Sequence, residues 1–565
     1  MFTRRGMQRA AFLGSLFASV AAFGCNDDER GAAGGAGGAP GAAGEAGGGV
    51  APVDVSPDAV QARLRVTLNE LAAMGPKRAG SPAGQAAGDY VKRRFEAAGA
   101  RDVSTETFSF SRFQLDASSL AVTIDGAAVP MAHDVFAYSG TGRVEADVVD
   151  VGRGRPEDYA GKDVTGKIVF VVRDPGFHRQ AQYGEALARG ASGLLYASSS
   201  PDNLIQVGTV TDAAAGLAKM PTLTVGKEDG AKIKQALAEG KPTRAALDVT
   251  ASLQPAQGRN IIARLPGSEP SGAYLMVGAH YDTWHIGSSD NGTGVAALLE
   301  LGERLAAQTD RRLGIMLVGF DAEELGLFGG YDFLRRHVVA ANEPMLAFVN
   351  LEMPAGTPTG FLRGVASTND GPIAPAGEAS LSSVYPLFVG MEFVPEQFGG
   401  LVPTDIQGMY WYGMQGMTTY CDTEYYHTSQ DTPDKVDVDF LAKGTLALFD
   451  TLVTLDGEPA QSFAARDALL WDPAVATSSA ADGSLDVTVT ARDSAGKPQP
   501  NARVRVWVDV DDFTRSFEAL LVADAAGVAT VRVPAPALAQ GQGGRWMHVT
   551  AGKTYPLAER LKQLP

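Results

Sequence analysis

The chain has 565 residues, 45% apolar and 20% charged, a balance that excludes disordered, fibrous and multi-span membrane proteins and allows several folded domains. With 48 basic against 65 acidic side chains its formal charge is -17, which repels phosphate backbones, so nucleic acid is not an expected partner. Two cysteines, Cys25 and Cys421, leave no disulfide framework.

At the start, Arg4, Arg5 and Arg9 precede an apolar run from Ala10 to Gly24 that is too short to span a bilayer, the pattern of an export signal over residues 1–24. Gly24-Cys25 followed by Asn26, Asp27 and Asp28 resembles a bacterial lipoprotein processing site, with Phe23 departing from the usual small residue. The expectation is an exported lipoprotein, anchored through a lipidated Cys25 and facing the periplasm or the cell exterior. Residues 25–50 are rich in glycine and alanine, bury nothing, and form a flexible tether.

Order begins near Ser56, where Pro57 opens a helix carrying Val60, Leu64, Leu68 and Leu71 on one face, and a second helix follows over about 83–98. These belong to an N-terminal part of the main domain, residues 51–129. Over 130–251 strands such as GKIVFVVRD and LLYAS alternate with helical segments such as EALARGASG. This stretch resembles the protease-associated domain, a small insert of several exported peptidases, and its His178 is expected to be a surface or core residue.

From 252 to 457 the pattern is strand, loop, helix: YLMVGA, a helix over about 294–307, LGIMLVGF, then MLAFVN. Continuous apolar runs between amphipathic helices indicate an α/β domain whose mixed, mostly parallel sheet is covered by helices on both faces, with ligands beyond the carboxyl ends of its strands. Over 465–565, Val504, Val506, Val508 and Val510 alternate with polar residues, the pattern of a small β-sandwich without catalytic residue types.

The strand ends carry the chemistry. YLMVGA leads into His280 and Asp282, with Asp290 just before the helix; LGIMLVGF leads to Glu323 and Glu324; MLAFVN leads to Glu352; and His427 precedes the last helix. These carboxylates, brought to one edge with two histidines, would repel one another without a cation, so the joint pattern points to metal.

HYD with SSDNGTG, then DAEELGLFGG, NLEM and YHTSQDT resemble the M28 family of zinc peptidases, over roughly 51–125 and 258–457. The resemblance implies a zinc exopeptidase fold with two Zn²⁺ per chain and a peptide substrate. It implies His280, Asp290, Glu324, Glu352 and His427 as metal ligands, Asp282 as support for His280, and Glu323 as general acid/base. Glu352 stands where the family usually has aspartate. Asp290 is suited to bridge two ions, with His280 and Glu352 on one and Glu324 and His427 on the other. Tyr426 is placed to donate a hydroxyl to the developing oxyanion. His285 matches no ligand position, and Cys421 is expected to be buried packing.

Within 358–426, expected to shape the substrate pocket, the one basic side chain is Arg363, against seven acids that include Glu378, Asp405 and Glu424, and many aromatics. Acids suit a substrate ammonium and aromatics an apolar side chain, so the expectation is an aminopeptidase removing apolar N-terminal residues. A carboxypeptidase, a glutaminyl cyclase and an inactive binding module on the same fold are the alternatives.

Overall fold

The structure is a computed structural model that describes residues 54–565 apart from 357–362, 369–370, 386, 391–401, 403, 422, 540 and 542–543. The expected export signal, the lipidated Cys25 and the tether lie outside the described residues. Among the described residues no helix is long and apolar enough to cross a membrane.

Helix Pro57–Ala73 starts where the sequence places it, with Ser56 as N-cap and proline in its first turn, and it buries Val60, Leu64, Leu68 and Leu71. That face packs against helices Thr293–Ala307 and Val438–Asp456 on one side of the catalytic sheet. Helix Pro82–Ala97 packs beside them, against Thr293–Ala307 and the sheet.

The central strands are Gly314–Phe320, Tyr274–His280, Met345–Asn350 and Gln415–Cys421, in that spatial order and mutually parallel. Register aligns their ends: His280 lies opposite Phe320, and Asn350 opposite Gly278. The residues that follow each strand, Asp282, Asp321 to Glu324 and Leu351 to Glu352, therefore emerge at one edge. Helices on both faces bury these strands almost completely, which accounts for their unbroken apolar runs.

The insert and the catalytic domain share one sheet. Arg101–Ile124 and Thr243–Leu265 pair antiparallel along a long ribbon. At one end of it, Ile261 to Leu265 pair with Gly314–Phe320; at the other, Ala245 to Val249 pair with Gly142–Asp150 of the insert. Thr243–Leu265 runs unbroken through position 251, alternating in burial over the insert and mostly buried where it enters the main sheet. Beyond Gly142–Asp150 the insert continues with parallel strands Ile168–Val172, Gly193–Ala197 and Thr222–Val225, and helix Arg179–Ala188 follows the first of these.

The C-terminal region is two antiparallel sheets of three and four strands around a shared core that includes Val487, Val489, Val504, Val506 and Val508. Arg505, Trp507 and Asp509 lie on the opposite side of their strand from that core, and Trp507 and Asp509 are buried there because that face of the sandwich lies against the main domain.

Candidate metal centre

His280 is the last residue of its strand and is fully buried. Its Nδ1 lies 3.0 Å from the Asp282 carbonyl and 3.5 Å from the Asp282 carboxylate. That carboxylate in turn accepts the amides of Glu323, at 3.1 Å, and Glu324, at 3.3 Å. Asp282 thus joins two strand ends: its backbone orients the imidazole, while its side chain positions the Glu323-Glu324 pair.

Asp290 sits in a tight turn, Ser288–Gly292, held by Asp431, whose two oxygens accept the Ser289 amide at 2.8 Å and the Asp290 amide at 3.0 Å. Asn291 ties the turn to the next strand end, donating to Leu351 O at 2.8 Å and accepting from Met353 N at 3.0 Å. A Cβ on Gly294 would come within 2.3 Å of both the Asn291 side chain and Leu351 O, which is why the motif needs glycine there.

The two oxygens of Asp290 face different histidines. Oδ1 is 3.3 Å from His280 Nε2 and Oδ2 is 3.0 Å from His427 Nε2. Glu352 Oε1 lies 3.5 Å from His280 Nε2, and Glu324 Oε2 lies 3.0 Å from His427 Nε2. Two groups result, His280–Asp290–Glu352 and Asp290–Glu324–His427, each with one atom per residue within 4.8 Å of the others. Glu352, with its longer side chain, falls in the first of these groups.

These residues suit a cation. His280 Nε2, Asp290 Oδ1, Glu324 Oε1 and Glu352 Oε2 are buried without a hydrogen-bond partner, a costly state unless something coordinates them. Burial, followed by repulsion from Asp290, pushes the Glu324 carboxyl well above the ordinary range, and burial also raises Glu352. Burial opposes charge on His280 too, yet Glu352 and Glu323 outweigh it and push the imidazole well up. Carboxyls raised in this way are ones that positive charge would relieve.

Glu323 Oε2 is 3.9 Å from His280 Nε2 and belongs to neither group. Burial first, with repulsion from Glu352 and Glu324 and against the pull of His280, raises its carboxyl well above the usual value, a setting for a proton carrier. Tyr426 stacks on His427 with ring centroids 3.7 Å apart. Burial holds its hydroxyl protonated far above the ordinary range, so it stays a donor.

A cavity of about 300 Å³ opens onto Asp290, Glu323, Glu324, Glu352 and His427. Of the residues expected to shape the pocket, Trp411 lines it and Asp405 is buried close to the two groups, while Glu378 is exposed and several others lie outside the described residues; Tyr420 of the same segment also lines the cavity. His285 is half-buried and joins neither group. Cys421 is buried, its Sγ 3.6 Å from Pro354 O. His178 caps helix Arg179–Ala188, its Nδ1 accepting from Gln180 N at 3.4 Å, and lines the cavity without joining a ligand group.

Several contributors were not anticipated. Asp431 lies inside the quoted YHTSQDT motif, so it was within reach of sequence reasoning. Lys77, buried and lowered to about 8 by that burial, donates to Ile286 O at 2.6 Å and steadies the His280 to Asp290 loop. Arg179 of the insert faces the Tyr426 hydroxyl, and Arg505, Trp507, Arg515 and His548 of the sandwich line the same cavity.

Comparison with known proteins agrees with this geometry. Residues 260–451 match the model for peptidase family M28, and residues 142–233 match the PA domain. The chain is 29% identical to a probable lipoprotein aminopeptidase, LpqL, of Mycobacterium tuberculosis, over 60% of this chain and 68% of that one. It is 24% identical to a probable glutamate carboxypeptidase, AMP1, of Arabidopsis thaliana, over 43% of this chain and 42% of the relative. Among solved structures, a zinc aminopeptidase of Bacillus subtilis superposes with a TM-score of 0.52 at 18% identity, covering 71% of this chain and 97% of that one, which shows a shared fold.

Proposed function

We propose that this chain, whose residues 260–451 match the model for peptidase family M28, is an exported zinc aminopeptidase removing apolar N-terminal residues. The observation that carries this reading is Asp290, whose two oxygens each face a different histidine, so that one carboxylate serves two ligand groups.

His280, Asp290 and Glu352 would hold one Zn²⁺, and Asp290, Glu324 and His427 the other. When bound, such ions act as Lewis acids toward a peptide carbonyl and make water a nucleophile near neutral pH. The protein's own residues handle binding and protons. Glu323 takes a proton from the attacking water and passes it to the departing amine. The Tyr426 hydroxyl donates to the carbonyl oxygen as negative charge grows there. The substrate ammonium is drawn to the acidic end of the cavity, near Glu323, Glu352 and Asp405, and Trp411 and Tyr420 offer apolar surface to the first side chain.

Arg179 favours a second reading. It is a cation at the cavity wall, where a carboxypeptidase would pair the substrate's terminal carboxylate. Leucyl and phenylalanyl anilides with free and with acetylated amines separate the two. The aminopeptidase reading expects turnover of the free amine and loss of it on acetylation; no turnover of either anilide together with cleavage of acetylated dipeptides that keep a free carboxylate would establish the carboxypeptidase. Membrane attachment through Cys25 is tested by Cys25→Ser, which is expected to move the protein to the soluble fraction.

A further inference from the structure

The two ligand histidines are oriented by different parts of the molecule. His280 meets the Asp282 carbonyl, two residues along its own loop, at 3.0 Å through Nδ1. His427 meets the carbonyl of Val207, in the insert, also at 3.0 Å, while its own carbonyl accepts the Val207 amide at 3.1 Å. Gln206 adds a bond from Nε2 to Tyr426 O at 2.9 Å. An imidazole that ligates through Nε2 carries its proton on Nδ1, so the acceptor at Nδ1 sets both the tautomer and the ring plane. The His427 half of the centre therefore depends on where the backbone at 206–207 sits.

That backbone is held from its other end by the sandwich. Asp212 Oδ2 lies 2.8 Å from Arg505 Nη2 and 3.0 Å from Arg515 Nη2. Midway, Arg179 Nε donates to Thr209 O at 2.8 Å. Arg515 is itself fixed by Asp509 at 2.6 Å, and Asp509 by the buried Arg335 of the catalytic domain, also at 2.6 Å. The stretch 206–212 is thus pinned at both ends and in the middle, with the metal ligand at one end and the sandwich at the other.

We propose that the C-terminal sandwich is a positioning element for one half of the metal centre: Arg505 and Arg515 hold Asp212, and so keep the Val207 carbonyl where it fixes His427. The inference rests on reading the two ligand groups as zinc sites. It sets an unequal expectation, because among the described residues no comparable link from the sandwich reaches His280, whose acceptor lies in its own loop.

The test is stepwise removal of zinc from the full-length, zinc-loaded protein by a chromogenic chelator. Asp212→Ala is expected to weaken one of the two ions about ten-fold and to leave the other within about a factor of two, since loss of an orienting partner typically costs 10- to 100-fold in affinity. Asp212→Glu keeps the carboxylate and should restore most of the difference. Arg505→Gln leaves Asp212 on Arg515 and should weaken the same ion by less. In a His427→Ala background, Asp212→Ala should add nothing, because its effect passes through His427. Equal weakening of both ions, or no weakening in either variant, overturns the proposal. A parent protein that binds no zinc overturns the metal reading instead and is seen before any variant is made. If Asp212→Ala fails to fold, both ions are lost together with the thermal transition, and Arg505→Gln decides the matter by the same criterion.

Discussion

Two charged clusters border the same cavity, one part-buried and one buried, and they are built in opposite ways. At the junction of insert, sandwich and catalytic domain, Arg335, Arg505 and Arg515 are each paired with Asp212, Asp509 or Glu518 at 2.6 to 3.0 Å. At the strand ends, Asp290, Glu323, Glu324 and Glu352 contact histidines, and none of them forms an ion pair with lysine or arginine among the described residues. Burying an ion costs several kcal/mol unless a partner offsets it. The junction carries its own partners and is complete as protein; the strand ends lack them, which is the difference between a structural cluster and a binding site.

Substitutions at the strand ends should break this contrast most sharply. Asp290→Ala removes the carboxylate shared by both groups, so zinc content should fall to near zero. Glu323→Gln should keep the parent's zinc content while turnover falls by about 10²- to 10⁴-fold, the usual contribution of a positioned proton carrier. Metal analysis beside kcat checks both, and zinc loss in Glu323→Gln would erase the distinction between ligand and proton carrier.

At the junction the expected effect is on stability. Arg335→Met leaves Asp509 with one cation fewer in a buried setting and should destabilise the protein by about 3–5 kcal/mol in chemical denaturation, as breaking buried pairs does. Lys443→Met, which breaks an exposed pair with Asp439, should leave the denaturation midpoint close to the parent's. Similar values for the two would mean that the junction is no more than a surface.

The smallest effect is in pH. Burial works against ionisation of Asp212, but Arg515 and Arg505 outweigh it and bring the carboxyl from 3.8 to about 2. An acid with a depressed folded value binds fewer protons folded than unfolded across that window. Its stabilisation is therefore present above pH 3.8 and is lost as pH falls toward 2. Acid unfolding of the metal-stripped protein should lose part of its pH dependence in Asp212→Asn; an unchanged profile would show that the ion pairs to the sandwich do not hold the carboxyl down.

The candidate site residues could be picked out in the sequence because the signal for each is local. His280, Glu323 and Glu352 each stand at or shortly after the end of a continuous apolar run, and such a run marks a buried strand before any fold is known. Helix Pro57–Ala73 was legible for the same reason, since Ser56, Pro57 and the 3.6-residue spacing of its apolar face are all neighbours in the chain. The pocket-shaping segment was less so: Trp411 and Tyr420 reach the cavity, but Tyr385 and Tyr410, equally aromatic on paper, are buried in the core. Composition says that an aromatic residue will be covered, not by what.

By itself the sequence determined which side chains gather at the strand ends and what chemistry they suit, because hydrophobic period and motif spacing are properties of short segments. Only the tertiary structure decided what surrounds them. Val207 acts through a backbone carbonyl, a group every residue has, so no side-chain pattern could mark it. Asp212 stands 293 residues from Arg505 and 303 from Arg515, and each has the character of an ordinary surface charge. Trp507 and Asp509 fall on the polar side of a strand whose alternation says solvent, and they are buried because a second domain covers that side. Covering a surface is an act of long-range packing, and its partner is chosen by the assembled fold rather than by the residues next along the chain.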